Sequence, residues 1–205
     1  MGKHTHSIDN KTLSRIYGHG GGWVFTPAHF LDLGSRTAVA TALKRHKQAG
    51  IIRQLARGLY DYPIDHPVLG RVAPSADAVA RALASRDAVR LQPTGAYAAN
   101  VLGLSEQVPA RIEFLTDGPS RRVKLGRREI ILKRTTPRNM ATAGRRSGTI
   151  IQALRWLGQQ HVDDKVLFIL RRQLRDTDRA QLKKDLKYAP DWIAGILRRF
   201  ADGIP

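Results

Sequence analysis

Ser35-Arg36-Thr37-Ala38-Val39-Ala40-Thr41-Ala42-Leu43-Lys44-Arg45-His46-Lys47-Gln48-Ala49-Gly50-Ile51-Ile52-Arg53-Gln54-Leu55-Ala56-Arg57-Gly58-Leu59-Tyr60 begins with helical periodicity and ends with strand periodicity. At about 100° per residue, Val39, Ala42, Leu43 and His46 fall on one face. Thr37, Thr41, Lys44, Arg45 and Gln48 fall on the other. Ser35 is placed to cap the helix, and Gly50 to close it. The apolar face packs the helix down. The opposite face offers hydroxyls, an amide and cations, the groups that meet base edges and phosphates. Beyond Gly50, Ile51 to Leu55 reads as a strand, Ala56-Arg57-Gly58 as a tight turn, and Leu59 to Tyr62 as the return strand, ended by Pro63.

Upstream, Ser7 or Asp9 is placed to cap a short helix carrying Leu13, Ile16 and Tyr17. Gly18-His19-Gly20-Gly21-Gly22 breaks it. No Lys-Ser or Lys-Thr follows these glycines, so they make a turn and not a phosphate-binding P-loop. Trp23-Val24-Phe25 is a short β-prone run. Thr26-Pro27 starts a helix to about Leu33, and Gly34 ends it. Helix, strand, helix, polar-faced helix and basic hairpin is the order of a winged helix-turn-helix. That layout assigns Ser35, Arg36, Thr37, Thr41, Lys44, Arg45 and Gln48 to a DNA-reading helix, and Arg53 and Arg57 to a wing that meets phosphates or a minor groove.

Asp65 to Pro74 is rich in Pro and Gly and lacks helical period, which places a boundary at 68/69. The expected architecture is therefore α+β: a winged helix-turn-helix over 1–68, then a mixed α/β domain over 69–205 with a small antiparallel sheet and C-terminal helices. In the second domain Ser75 caps an alanine-rich helix, and Thr94 caps another that ends at Gly103. Three β-like runs follow, Ala110–Thr116, Arg121–Leu125 and Glu129–Arg134. Helices resume beyond Pro137 and run to Phe200. The β-region carries a dense series of cations: Arg121, Arg122, Lys124, Arg127, Arg128, Lys133, Arg134, Arg138, Arg145 and Arg146. Such a stripe suits flanking DNA, RNA or an acidic protein, and the sequence does not separate the three.

Net charge supports this reading. Thirty-five Lys and Arg face 17 acids, a formal charge of +18. A polyanion is the natural counter-charge, with nucleic acid ahead of a membrane surface. Residues 1–68 hold nine Lys and Arg against four acids, and residues 69–205 hold 26 against 13. There is no Cys, which removes disulfides, thiolate sites and cysteine nucleophiles. The seven His lack zinc-ligand spacing, and no G-x-S-x-G is present. Asp163-Asp164 and Asp176/Asp178 sit at helix starts, where the dipole explains them. No catalytic residue, metal or cofactor is expected. The polar Met1–His6 start and the lack of a long apolar run predict a cytoplasmic chain with no membrane partner.

Pro93-Thr94-Gly95-Ala96-Tyr97-Ala98-Ala99-Asn100-Val101-Leu102-Gly103-Leu104-Ser105, followed by Gln107-Val108-Pro109, resembles the AbiEi-like antitoxin family. So do Phe114-Leu115-Thr116-Asp117-Gly118-Pro119-Ser120 and Arg134-Thr135-Thr136-Pro137-Arg138. The pattern Gly50-Ile51-Ile52 to Arg57-Gly58-Leu59-Tyr60 is similar to that family's winged helix, and the likeness covers most of residues 10–140. The resemblance implies a type IV toxin–antitoxin component. Such a protein binds operator inverted repeats in double-stranded DNA and represses its own promoter. Its C-terminal domain counteracts a nucleotidyltransferase-like toxin, without needing a stable complex. Antitoxicity rests on the likeness alone. A stand-alone winged-helix regulator and an RNA-binding protein are the alternatives.

Overall fold

The structure is a computed structural model that describes residues 7–203. The Met1–His6 stretch, with His4 and His6, lies outside the described residues. The chain is mixed α/β and divides into two compact units, 1–88 and 89–205.

The first unit opens with helix α1 (Ile8–His19), capped by Ser7, whose Oγ accepts from the Asn10 N–H at 3.2 Å. Strand β1 (Val24–Phe25) follows, then a 3-10 turn at Pro27–Phe30 and helix α2 (Arg36–Gln48). The helix expected from Pro27 to Leu33 is thus only a short turn. After Phe30, Leu31 is exposed, Asp32 makes a two-pronged pair with Arg15 at 2.7 and 2.6 Å, and Leu33 packs back against the core. Strands β2 (Arg53–Ala56) and β3 (Leu59–Asp61) form the expected hairpin, its turn closed by Gly58 in the left-handed region at φ 70°. β1 adds to the far side of β3, giving the sheet order β1-β3-β2, antiparallel throughout. Ile16, Phe25, Phe30, Val39, Leu43 and Ile52 form the core beneath it.

The stretch read as a linker is folded. Strands β4 (Ile64–His66) and β5 (Gly70–Val72) pair as a second hairpin, and helix α3 (Ala76–Asp87) follows, capped by Ser75. α3 buries Val79, Ala80 and Leu83 and packs against β1, so it belongs to the first unit. The division therefore falls at 88/89, twenty residues beyond the expected 68/69. Composition marked where the helical period stopped, and burial of the α3 face decides which core it joins.

His29 shows the cost of burial in this unit. Its ring lies edge-on to Trp23, 5.8 Å between centroids, and its Nδ1 is 3.1 Å from the Thr26 N–H. Desolvation holds the imidazole below the usual histidine range; the Thr26 backbone opposes this, and the charges of His19 and Arg15 add to it. An unfolded chain takes up this proton near pH 6.5, about the unperturbed value. The unfolded state then binds more protons than the folded one, so stability falls as pH drops below that point. The urea midpoint is expected to decline on acidification, and His29→Gln should flatten the decline. An unchanged slope in the variant would mean that His29 is charged in the fold.

The second unit is a four-stranded sheet with helices. β6 (Leu91–Pro93) leads into α4 (Gly95–Val101), and then come β7 (Arg111–Thr116), β8 (Arg121–Leu125) and β9 (Arg128–Arg134). The order is β6-β7-β9-β8. β6/β7 and β8/β9 are antiparallel as expected, but β9 slots between β7 and β8 and runs parallel to β7. Helices α5 (Pro137–Met140), α6 (Arg146–Leu157), α7 (Asp164–Arg172), α8 (Asp176–Asp185) and α9 (Asp191–Ala201) complete it. Leu102, Ile150, Leu154, Leu170, Leu182 and Leu197 centre the helical core. Among the described residues no helix is long and apolar enough to cross a membrane.

Candidate nucleic-acid interface

α2 presents the two faces its sequence predicts. Val39, Ala42, Leu43 and His46 are buried, and His46 Nε2 lies 3.2 Å from the Asp9 carbonyl oxygen. Ser35 starts the helix, its Oγ accepting from the Ala38 N–H at 3.3 Å. Ser35, Arg36, Thr37, Thr41, Lys44, Arg45 and Gln48 are all exposed. Thr37, Thr41, Lys44 and Gln48 fall at i, i+4, i+7 and i+11, a single stripe along the helix. The Thr41 hydroxyl donates to the Thr37 carbonyl at 2.9 Å, so toward solvent it offers an acceptor. Lys44 and Gln48 have no side-chain partner among the described residues. Arg45 lies 3.8 Å from Asp9, a long pair on a largely exposed side chain. Lys47, beside the stripe, is tied to Gln54 at 2.8 Å.

The hairpin divides its two arginines. Arg57 stands at the exposed turn, without an ion pair among the described residues. Arg53 does not face solvent as a wing contact would. Its Nε and Nη2 donate to the two carboxylate oxygens of Asp61 at 3.1 and 2.6 Å, and Nη2 also reaches the Val72 carbonyl at 2.7 Å. Asp61 is fully buried, so it needs this cation. Arg53 is consumed inside the unit and leaves the candidate set.

The cationic stripe of the second unit is also redistributed. Arg111 faces Glu129, which faces Lys124; Glu113 faces Ile131, which faces Arg122. Arg122, Lys124 and Lys133 therefore share one face, joined by Arg111 but also by Glu113 and Glu129. Glu129 binds Arg111 at 3.5 Å and Arg122 at 3.4 Å. Arg121, Arg128 and Arg134 have the opposite parity, Arg127 stands in the β8–β9 turn, and Arg138 on α5 donates to the Lys187 carbonyl at 3.4 Å. The stripe is a mixed-charge sheet face with cations around its rim. Arg111 was missed because only the pairing of β7 with β9 brings it there.

Residues 11–182 match the model of a family of unknown function, DUF6088. The chain belongs to DUF6088. No curated protein matches it. The DUF6088 range runs from α1 into α8, so it takes in the α2 stripe, the Arg57 turn and the sheet, and leaves α9 outside. Among the described residues of this DUF6088 chain, the α2–β2–β3 segment combines an exposed polar stripe with a neighbouring basic turn.

Proposed function

We propose that this DUF6088 chain is a sequence-specific double-stranded-DNA-binding protein that acts in the cytoplasm through a winged helix-turn-helix. The observation that carries the reading is α2 itself: one face is locked into the core, while Thr37, Thr41, Lys44 and Gln48 stand in line on the other. A helix of this width fits a major groove, where Lys reads guanine O6/N7 and Gln reads adenine N6/N7. The antiparallel order β1-β3-β2 carries the hairpin that would act as the wing, with Arg57 at its turn. The net charge of +18 supplies the affinity for phosphates that any such reader requires.

The function follows as repression of its own promoter at inverted repeats, in the manner of an AbiEi-like antitoxin, with a nucleotidyltransferase-like toxin as functional partner. DNA binding is supported by α2 and its hairpin; autorepression and the antitoxin part are supported by the sequence likeness. The test of the first is operator binding to the DNA upstream of the gene. Lys44→Ala and Gln48→Ala are each expected to cost about 1–3 kcal/mol of operator affinity and to relax sequence preference. Arg57→Ala should weaken operator and random DNA equally and lower the salt slope by about 0.9. Full affinity and selectivity in both α2 variants would remove α2 as the reading helix. The test of the second is co-expression with a nucleotidyltransferase-like toxin found in the adjoining reading frame: rescue of growth by the full chain supports antitoxicity, and no such frame or no rescue leaves the stand-alone regulator.

A further inference from the structure

The second unit holds a cavity of about 610 Å³ that the DNA-binding reading does not use. Its polar wall comes from two places in the chain. The start of α6 supplies Arg145, Arg146 and Ser147, and the α7–α8 junction supplies Arg175. Its apolar wall includes Val101, Leu102 and Leu182. Two of the three guanidiniums are held in place: Arg145 by Asp185 at 2.6 Å, and Arg146 by the Gln173 side chain at 3.0 Å. The Arg175 guanidinium has no partner among the described residues. Asp178 in the lining pairs with Arg146 at 4.0 Å and Asp185 with Arg145, so the positive excess at the cavity is that of Arg175.

The backbone at this site points the same way. α6 starts at Arg145 with no side chain capping it, as α4 and α9 start uncapped at Thr94 and Pro190. The dipole of this first turn favours an anion, and the buried Asp185 carboxylate answers part of it through Arg145 and the Ser147 hydroxyl. That turn is rigidly seated, since a Cβ at Gly148 would run into the Thr142 carbonyl and the Gln92 side chain. Positioned guanidiniums beside an uncapped helix start form a phosphate-binding arrangement. The volume exceeds what a lone phosphate or carboxylate needs and lies in the range of small-molecule sites. The apolar wall suits a planar ring.

We propose that this cavity binds a nucleotide, its phosphates on Arg145, Arg146 and Arg175 and its base against Val101, Leu102 and Leu182. The site lies within the second unit, so it stands or falls independently of α2. The test is calorimetric binding to the full chain at physiological salt, with ATP, GTP, CTP, UTP, tripolyphosphate, adenosine and a short single-stranded oligonucleotide as probes. At least one nucleoside triphosphate is expected to bind more tightly than tripolyphosphate, and adenosine not to bind. Arg175→Gln removes an exposed, unpaired side chain and should lower the nucleotide affinity about tenfold, with Arg175→Lys between the two. A double change of Arg122 and Lys124 to Ser, on the sheet face, should leave it unchanged. The proposal is overturned by no nucleotide binding at about 1 mM, by affinity that follows the sheet face and not Arg175, or by Arg175-dependent binding of the oligonucleotide alone.

Discussion

Asp185→Ala is expected to destabilise the second unit by about 3–5 kcal/mol. The Asp185 side chain is 1% exposed and collects three donors: Arg145 Nη1 at 2.6 Å, the Ser147 hydroxyl, and Gln181 Nε2 at 3.0 Å. Alanine removes the acceptor and leaves all three facing a void. Arg145 is 43% exposed and recovers part of its solvation, which places the loss at the lower end of that range. Asp185→Asn keeps an acceptor but loses the charge, and should cost roughly half as much. Urea denaturation followed by tryptophan fluorescence reads the effect, because Trp156 and Trp192 both lie in this unit. A loss under about 0.5 kcal/mol, the ordinary range for a surface change, would show that the bridge between α6 and α8 contributes nothing.

Asp61→Ala should cost the first unit about 3 kcal/mol, and for a related reason. Asp61 is fully buried and meets the Arg53 fork through both oxygens, a bidentate geometry that fixes orientation as well as charge. Removing either partner strands the other, so Arg53→Ala is expected to be as damaging as Asp61→Ala. Replacing the pair together, Arg53→Met with Asp61→Leu, should recover most of the stability, because an apolar pair of similar volume avoids the desolvation cost. The same double variant separates two roles for Arg53. As a structural cation it is dispensable once Asp61 has gone, and operator affinity should stay within about twofold of the parent, because the double change leaves the net charge as it was. A stable double variant that loses ten times more affinity would return Arg53 to the DNA contacts.

The hairpin register gives Arg53 to the buried acid. The sequence places the turn at Ala56-Arg57-Gly58, whereas in the fold Ala56 pairs with Leu59 across Arg57-Gly58, and regular counting from that pair would set Gln54 opposite Asp61. The observed register shifts between Gln54 and Ala56, so Gln54 faces Tyr60 and Arg53 faces Asp61. One extra residue in a strand exchanges which side chain meets the buried acid. The cations of the β-region misled in a similar way. As a linear series they make one stripe; with β9 inserted between β7 and β8, period-two alternation sorts them onto two faces and brings Glu113 and Arg111 among them.

The sequence by itself determined what depends on residues within a few positions of one another. The two faces of α2, the serine caps at Ser35 and Ser75, and the Gly58 turn all follow from local periodicity and backbone chemistry. Only the tertiary structure decided the partners across long separations: the register that gives Arg53 to Asp61, the strand order of the sheet, the placing of α3 with the first unit, and the meeting of Arg145, Arg146 and Arg175 around one cavity. The physical reason is that helical and turn preferences are set by short-range sterics and hydrogen bonds, whereas burial and charge pairing are settled by which surfaces leave water together.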